Sequence, residues 1–237
     1  MRWLTLNLEA PLSAFGGVIV DGIGGTRDHP ALSAITGLLG SALGYDRTEP
    51  ARLAALQGRL LLASAYRVGA GGRLADFQTA QLGKDDRGWT RDGVEGRTGG
   101  PATYDSPILS YRDYVTDRRT VCVIGLKSDA DPDLDAIAAA LDRPEWPLFL
   151  GRKSCIPSVP IRGAFIEAGT ALEALRIALN GPGDWLVSLP DGQGDPERAR
   201  RSLLPDLRDW GSDLHAGARL VTEGRITVPE RNTHGGV

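Results

Sequence analysis

The chain has 237 residues, 41% hydrophobic and 24% charged, which suits one large domain or two small ones with a sizeable core. Its 27 basic and 30 acidic side chains leave a net charge of −3, which excludes coating of nucleic acid by bulk charge but leaves room for a local basic groove. The longest apolar run, Ala136 to Leu141, falls far short of the ~20 residues of a membrane helix. Two cysteines, Cys122 and Cys155, build no disulfide framework, and the three histidines lack metal-ligand spacing. A cytoplasmic protein with reduced thiols, no metal, no other cofactor and no membrane partner is expected.

In chain order, Trp3 to Leu8 alternates with period two and reads as a first strand. The glycine-rich stretch around Gly16-Gly17 and Gly22 to Gly25 reads as loop. Ser33 is placed to cap a helix through Ile35, Leu38, Leu39, Ala42 and Leu43, with Gly44 as its stop. Arg59 to Val68 has the residue types of a second strand. Residues 80–110 hold six glycines at 83–100 and few apolar side chains, which reads as a projecting hairpin or a partly mobile arm. Thr120 to Leu126 is a buried strand, and Asp131 with Pro132 opens a helix whose face is Leu134, Ile137, Ala138 and Leu141. Ile161 to Ala168 is a strand, and Thr170 caps a helix that ends at Gly181. Trp185 to Leu189 and Arg219 to Val228 are further strands, and residues 231–237 are an expected disordered tail.

The order strand, helix, strand, strand, helix, strand up to residue 168 is that of the split βαβ, ferredoxin-like fold, an α+β architecture of the kind RNA-recognition modules use. The division expected is a domain over 1–168 with the hairpin 80–110 inserted between its second and third strands. A C-terminal α/β extension over 169–230 then packs on it.

Three motifs bear on chemistry. Gly151-Arg152-Lys153-Ser154 lacks the glycines of a Walker loop, which disfavours nucleotide hydrolysis, while segment 143–162 carries four basic residues against Glu145. A glycine loop with arginine, lysine and serine donors suits phosphodiester contacts; the alternative is a solvated basic turn. Gly37, Gly40 and Gly44 on one helix imply a close approach, by a neighbouring strand or by a nucleic-acid backbone. Tyr111, Arg112 and Tyr114 offer planes that stack on unpaired bases, and serve equally as ordinary strand residues. No nucleophile elbow, catalytic triad or carboxylate pair is present, so no catalytic residue is assigned.

Five segments together resemble the CasD-type subunits of type I-E CRISPR Cascade, the fifth Cas protein family of the RAMP superfamily. They are Leu8 to Gly16, Gly37 to Gly44, Asp76 to Thr79, Tyr111 to Tyr114 and, most specific, Pro147 to Pro157. The resemblance spans residues 3–165 and fades beyond. It implies a ferredoxin-like domain that caps the 5′ handle of the CRISPR RNA. It further implies contacts with the backbone and large subunits of the complex, target DNA being met only indirectly. The 80–110 hairpin takes the part of a thumb over the guide. The implied RNA-binding set is Arg27, Ser33, Thr36, Lys84, Tyr111, Arg112, Arg152, Lys153 and Ser154, with no catalytic and no metal-binding member. Leu32 stands where the family usually has a basic residue, and Arg27 is the candidate substitute. The alternative is a metal-independent, RNA-processing endoribonuclease of the type I-C kind, with Tyr45, His29 or Lys84 as acid–base groups.

Overall fold

Leu4, Leu6, Leu8 and Ala10 alternate along the first strand, β1 (Arg2–Ser13), and all point to one buried layer, while Trp3 points to another. In the computed structural model, which describes residues 1–20, 23–80, 88–90, 93–95 and 108–230, this two-sided burial organises the molecule. The described parts of the glycine-rich stretch expected as loop are strands: β2 (Gly16–Val20) and β3 (Ile23–Thr26) pair antiparallel. Glycine lowers strand propensity, yet it keeps both ladder groups of the backbone, and pairing retains them.

Helices α1 (Leu32–Ala42) and α2 (Pro50–Arg59) lead into β4 (Leu60–Arg67). The second helix was not foreseen, and it takes Arg59 from the expected strand. Ser33 does not cap α1. The cap comes from Asp206, whose Oδ2 accepts from Leu32 N–H at 2.9 Å and whose carbonyl accepts from Ser33 N–H at 3.1 Å. Gly44 ends the helix as expected, at φ +74.

β5 (Gly72–Ala80) precedes two short strands, β6 (Gly88–Thr90) and β7 (Gly93–Glu95), which pair with each other. The rest of the expected hairpin, with Lys84, lies outside the described residues, as does the expected tail. β8 (Ile108–Leu126) is 19 residues long, about 60 Å at strand rise. Its first half pairs with β5, Ala80↔Ile108 through Gly72↔Thr116. Its second half lies between β1 and β4, and Asp117, at φ 48, stands where the partner changes. Cys122 and Ile124 face the first layer while Val121 and Val123 face the second, so this half is apolar on both sides.

α3 (Leu134–Asp142) is capped by Asp133, which accepts from Ala136 N–H at 2.7 Å; Asp131 stands too early for that bond. Its foreseen face, Leu134, Ile137, Ala138 and Leu141, is buried. β9 (Arg162–Glu167) then pairs with β1. α4 (Ala171–Ala178) has the foreseen Thr170 cap, completed by Glu173 into a reciprocal pair. β10 (Gly183–Pro190), β11 (Glu197–Leu204), the ribbon β12 (Arg208–Asp209) with β13 (Leu214–His215), and β14 (Arg219–Val228) complete the described chain.

One large sheet runs β11-β14-β10-β4-β8-β1-β9, antiparallel along this path, with β5 and β3 joined at β8 and β2 joined to β3. Helices α1, α2 and α3 cover one face through Ile35, Leu39, Leu56 and Ile137. Helix α4 covers the other through Ala171, Ala174 and Leu175, over Trp3, Val123 and Trp185. Each fully buried leucine contributes about 1.5–3 kcal/mol to this packing. The fold is therefore a mixed α/β assembly whose single large sheet takes strands from both ends of the chain.

Candidate nucleic-acid interface

The basic loop after α3 has a shape of its own. Leu150 N–H donates to Cys155 O at 2.8 Å, and Cys155 N–H donates to Arg152 O at 2.9 Å. Ala14 N–H donates to Leu150 O at 3.0 Å, which ties the loop to the end of β1. Gly151 sits at φ +101 with Ala14 O only 1.9 Å from where a Cβ would stand, so no other residue fits. Leu150 and Cys155 are buried, and Lys153 and Ser154 between them are exposed. The Arg152 guanidinium lies 4.7 Å from the Tyr114 ring centroid, and its Nη1 donates to Asp113 O at 3.0 Å. Ser154 Oγ–H donates to the buried Tyr114 hydroxyl oxygen at 3.4 Å.

Strand periodicity then sorts the aromatic and basic candidates. Arg112 and Tyr114 share one face of β8, the face against which Arg152 and Ser154 stand. Tyr111 is on the opposite face, directly across from Phe77 of β5, with ring centroids 5.2 Å apart. Phe77, Leu109 and Tyr111 are each about half exposed (52%, 51% and 48%). Arg112 is exposed and stands across from Asp76. Tyr111 and Arg112 thus address different sides of the hairpin stem. Phe77 was missed as a candidate, although it lies in the Asp76 to Thr79 segment already singled out.

The helix candidates fare differently. Thr36 is fully buried and its hydroxyl donates to Leu32 O at 2.8 Å, which corrects its assignment to the binding surface. Ser33 is half-buried, with its N–H held by Asp206. Arg27 spends Nη2 on Pro205 O at 3.0 Å, and its buried Nε has no hydrogen-bond partner among the described residues. Gly40 is explained by α2, because a Cβ there would stand 2.5 Å from Leu53 Cδ2. Gly37 lies under the Trp210 ring. The close approach is made by side chains of α2 and of the C-terminal segment, in place of the strand or nucleic acid expected.

With this geometry in view, the family model Cas5d, "CRISPR-associated protein (Cas_Cas5)", matches residues 3–222. The chain belongs to the Cas5 family of CRISPR-associated proteins. It is 25% identical over 181 residues to the CRISPR system Cascade subunit CasD of Escherichia coli (strain K12), covering 73% of this chain and 75% of that one. In fold it resembles a chain of a CRISPR RNA-guided surveillance complex, with a TM-score of 0.66, 20% identity and 95% and 90% of the two chains covered. A second chain, described as a crystal structure of a Cas protein, aligns with a TM-score of 0.58 and 23% identity over 96% and 95% of the two chains. The Cas5 match runs well past residue 165, where the motif resemblance ends, and takes in most of the C-terminal strands.

Of the acid–base groups weighed for the nuclease alternative, the two described in this Cas5 chain line separate clefts. Tyr45 lines one with Arg47 and Trp210, its ring stacked under Arg52 at 3.9 Å. His29 lines the other, with Nδ1 2.8 Å from Ser64 Oγ and its ring 5.0 Å from that of Tyr66. Burial, reinforced by the Arg118 charge, pushes His29 down to about 4, so it is neutral at physiological pH. Among the described residues no three histidine, cysteine or carboxylate side chains converge as metal ligands, and no helix is long and apolar enough to cross a membrane.

Proposed function

We propose that this Cas5-family chain is a non-catalytic subunit of a cytoplasmic CRISPR Cascade complex of the type I-E kind. In this reading it binds and caps the 5′ handle of the CRISPR RNA and contacts the backbone and large subunits. The observation that carries it is the loop 150–155, closed by its own backbone bonds and pinned to Ala14, which holds Lys153 and Ser154 outward beside Arg152 and Tyr114. A loop already shaped loses little entropy when it meets a phosphodiester chain. The named relative, a Cascade subunit, supports the complex, and the fold likeness to a chain of an RNA-guided complex is consistent with an RNA partner.

The strand order β4-β8-β1-β9, with α1 and α2 between the first pair in sequence and α3 before the last, supports a ferredoxin-like core. The separation of His29 from Tyr45 supports a role in binding and not in cleavage. Binding of a labelled handle RNA and of an unrelated single strand, at matched salt, tests the first half. Preference for the handle is expected, and equal affinity would overturn it. Incubation with repeat RNA in the absence of metal tests the second, where a product ending in a 2′,3′-cyclic phosphate would establish the nuclease instead.

A further inference from the structure

The cleft beside His29, about 400 Å³ in volume, is built largely by β10, β11 and β14, beyond the segments that carry the family resemblance. Its floor is a set of rows across the sheet: Tyr66, Leu186 and Arg225 in one, and Ser64, Ser188, Glu223 and Arg200 in the next. Between these rows β11 carries a bulge. Glu197 pairs with Arg225 and Arg200 with Glu223, so Arg198 and Ala199 stand against Gly224 alone. Without the extra residue Ala199 would face Glu223, and Arg200 would turn to the opposite side of the sheet. The bulge therefore brings Arg200 to the cleft, where Arg198 also lines the wall.

This irregularity is specified by its surroundings. Arg198 holds a left-handed backbone, φ 54, which side-chain-bearing residues rarely adopt. Gly224 opposite it has no room for a Cβ, which would stand 2.6 Å from Pro196 Cγ and 2.7 Å from Glu197 O. The charge is lopsided too. Asp28 is bound by both Arg73 and Arg118, and Asp184 by Arg225. Among the side chains that line the cleft, three arginines, Arg198, Arg200 and Arg225, meet two carboxylates, Asp28 and Glu223. Arg198 and Arg200 are exposed and have no carboxylate within ion-pair distance among the described residues. Burial and the neighbouring Asp28 raise the Tyr66 phenol, which keeps its hydroxyl a neutral donor.

We infer that this cleft is a second phosphate-binding site, which takes one phosphodiester of the single-stranded handle between Arg198, Arg200 and the Tyr66 hydroxyl. The inference rests on the guide-RNA reading above and adds the C-terminal strands to the RNA path. The test uses the full chain, handle RNA and a salt series. Arg198→Ala/Arg200→Ala should weaken binding ten- to a hundredfold and lower the salt slope by about 0.7, the share of the one single-strand phosphate held there. Glu223→Gln, which removes the carboxylate opposite Arg200, should tighten binding, a gain that misfolding does not produce. Unchanged affinity and slope in the double variant, with the wild type binding the handle, would overturn the cleft and leave the proposed function standing. If the wild type fails to bind the handle, titration with a nucleoside 5′-monophosphate decides between sources. Binding lost in the double variant keeps a phosphate site for a free nucleotide, and no binding removes the site altogether.

Discussion

Gly151 and Asp206 are the two residues whose replacement the geometry constrains most. At Gly151 any side chain meets Ala14 O in a left-handed backbone, so Gly151→Ala should cost about 1–3 kcal/mol in urea unfolding. Gly25→Ala, where a Cβ meets nothing within 4 Å, is the control and should stay within about 0.5 kcal/mol. Asp206 is fully buried, receives three bonds from Arg219 and caps α1. Asp206→Ala leaves the largely buried Arg219 without its partner and should cost about 3–5 kcal/mol, whereas a loss below ~1 kcal/mol would deny the pair its structural role. His29 adds a pH dependence. Its folded value near 4 lies below the unfolded 6.5, so the unfolded chain binds the proton more tightly between those values. Stability from this group is complete above pH 6.5 and is lost as pH falls toward 4, by up to about 3 kcal/mol. His29→Gln should flatten that limb of the stability curve, and an unaltered limb would place the titration elsewhere.

Among the elements, the two helix starts make a paired prediction. Thr170 caps α4 with its own side chain, so Thr170→Ala should lower stability by about 1 kcal/mol. Ser33 contributes no side-chain bond to α1, so Ser33→Ala should be close to neutral in the same melts. The loop 150–155 separates in the same way. Arg152 packs on Tyr114 and bonds Asp113 O, so Arg152→Ala should lower both thermal stability and RNA affinity. Lys153 is exposed, and Lys153→Ala should lower affinity by roughly tenfold with the melting temperature unchanged. A stability loss at Lys153 with intact RNA binding would make the loop an ordinary surface turn. On the hairpin stem, the Phe77–Tyr111 pair faces away from this loop, so one ligand strand reaches both only by passing around the stem.

At the scale of the whole molecule the C-terminal segment is woven into the fold. β10 pairs with β4, α4 closes the second face over Trp3 and Val123, and Asp206 caps the first helix. A fragment ending at residue 168 would expose Ala63, Ala65, Val121 and Val123 to water. It should unfold without a cooperative transition and bind a hydrophobic dye, and a sharp two-state melt would show that residues 1–168 fold alone.

The sequence by itself determined what depends on neighbours along the chain. Period-two alternation marked β1, a short continuous apolar run marked the buried half of β8, the one-face spacing of Leu134, Ile137, Ala138 and Leu141 marked α3, and Thr170 marked the start of α4. The basic glycine loop was legible for the same reason, since Gly151 and its donors are contiguous. Only the tertiary structure decided what depends on residues distant in the chain. Asp206 displaces Ser33 as the cap because a backbone N–H donates to whichever oxygen packing brings nearest. Thr36 is withdrawn from the surface because the helix face it occupies turns inward, and its hydroxyl finds a carbonyl one turn back. Strand alternation places Tyr111 and Arg112 on opposite sides, and pairing with β5 and packing of the loop decide what each side meets. The arginines of β11 reach a cleft because one extra residue opposite Gly224 resets the facing of the strand, a matter of register that pairing with β14 alone creates.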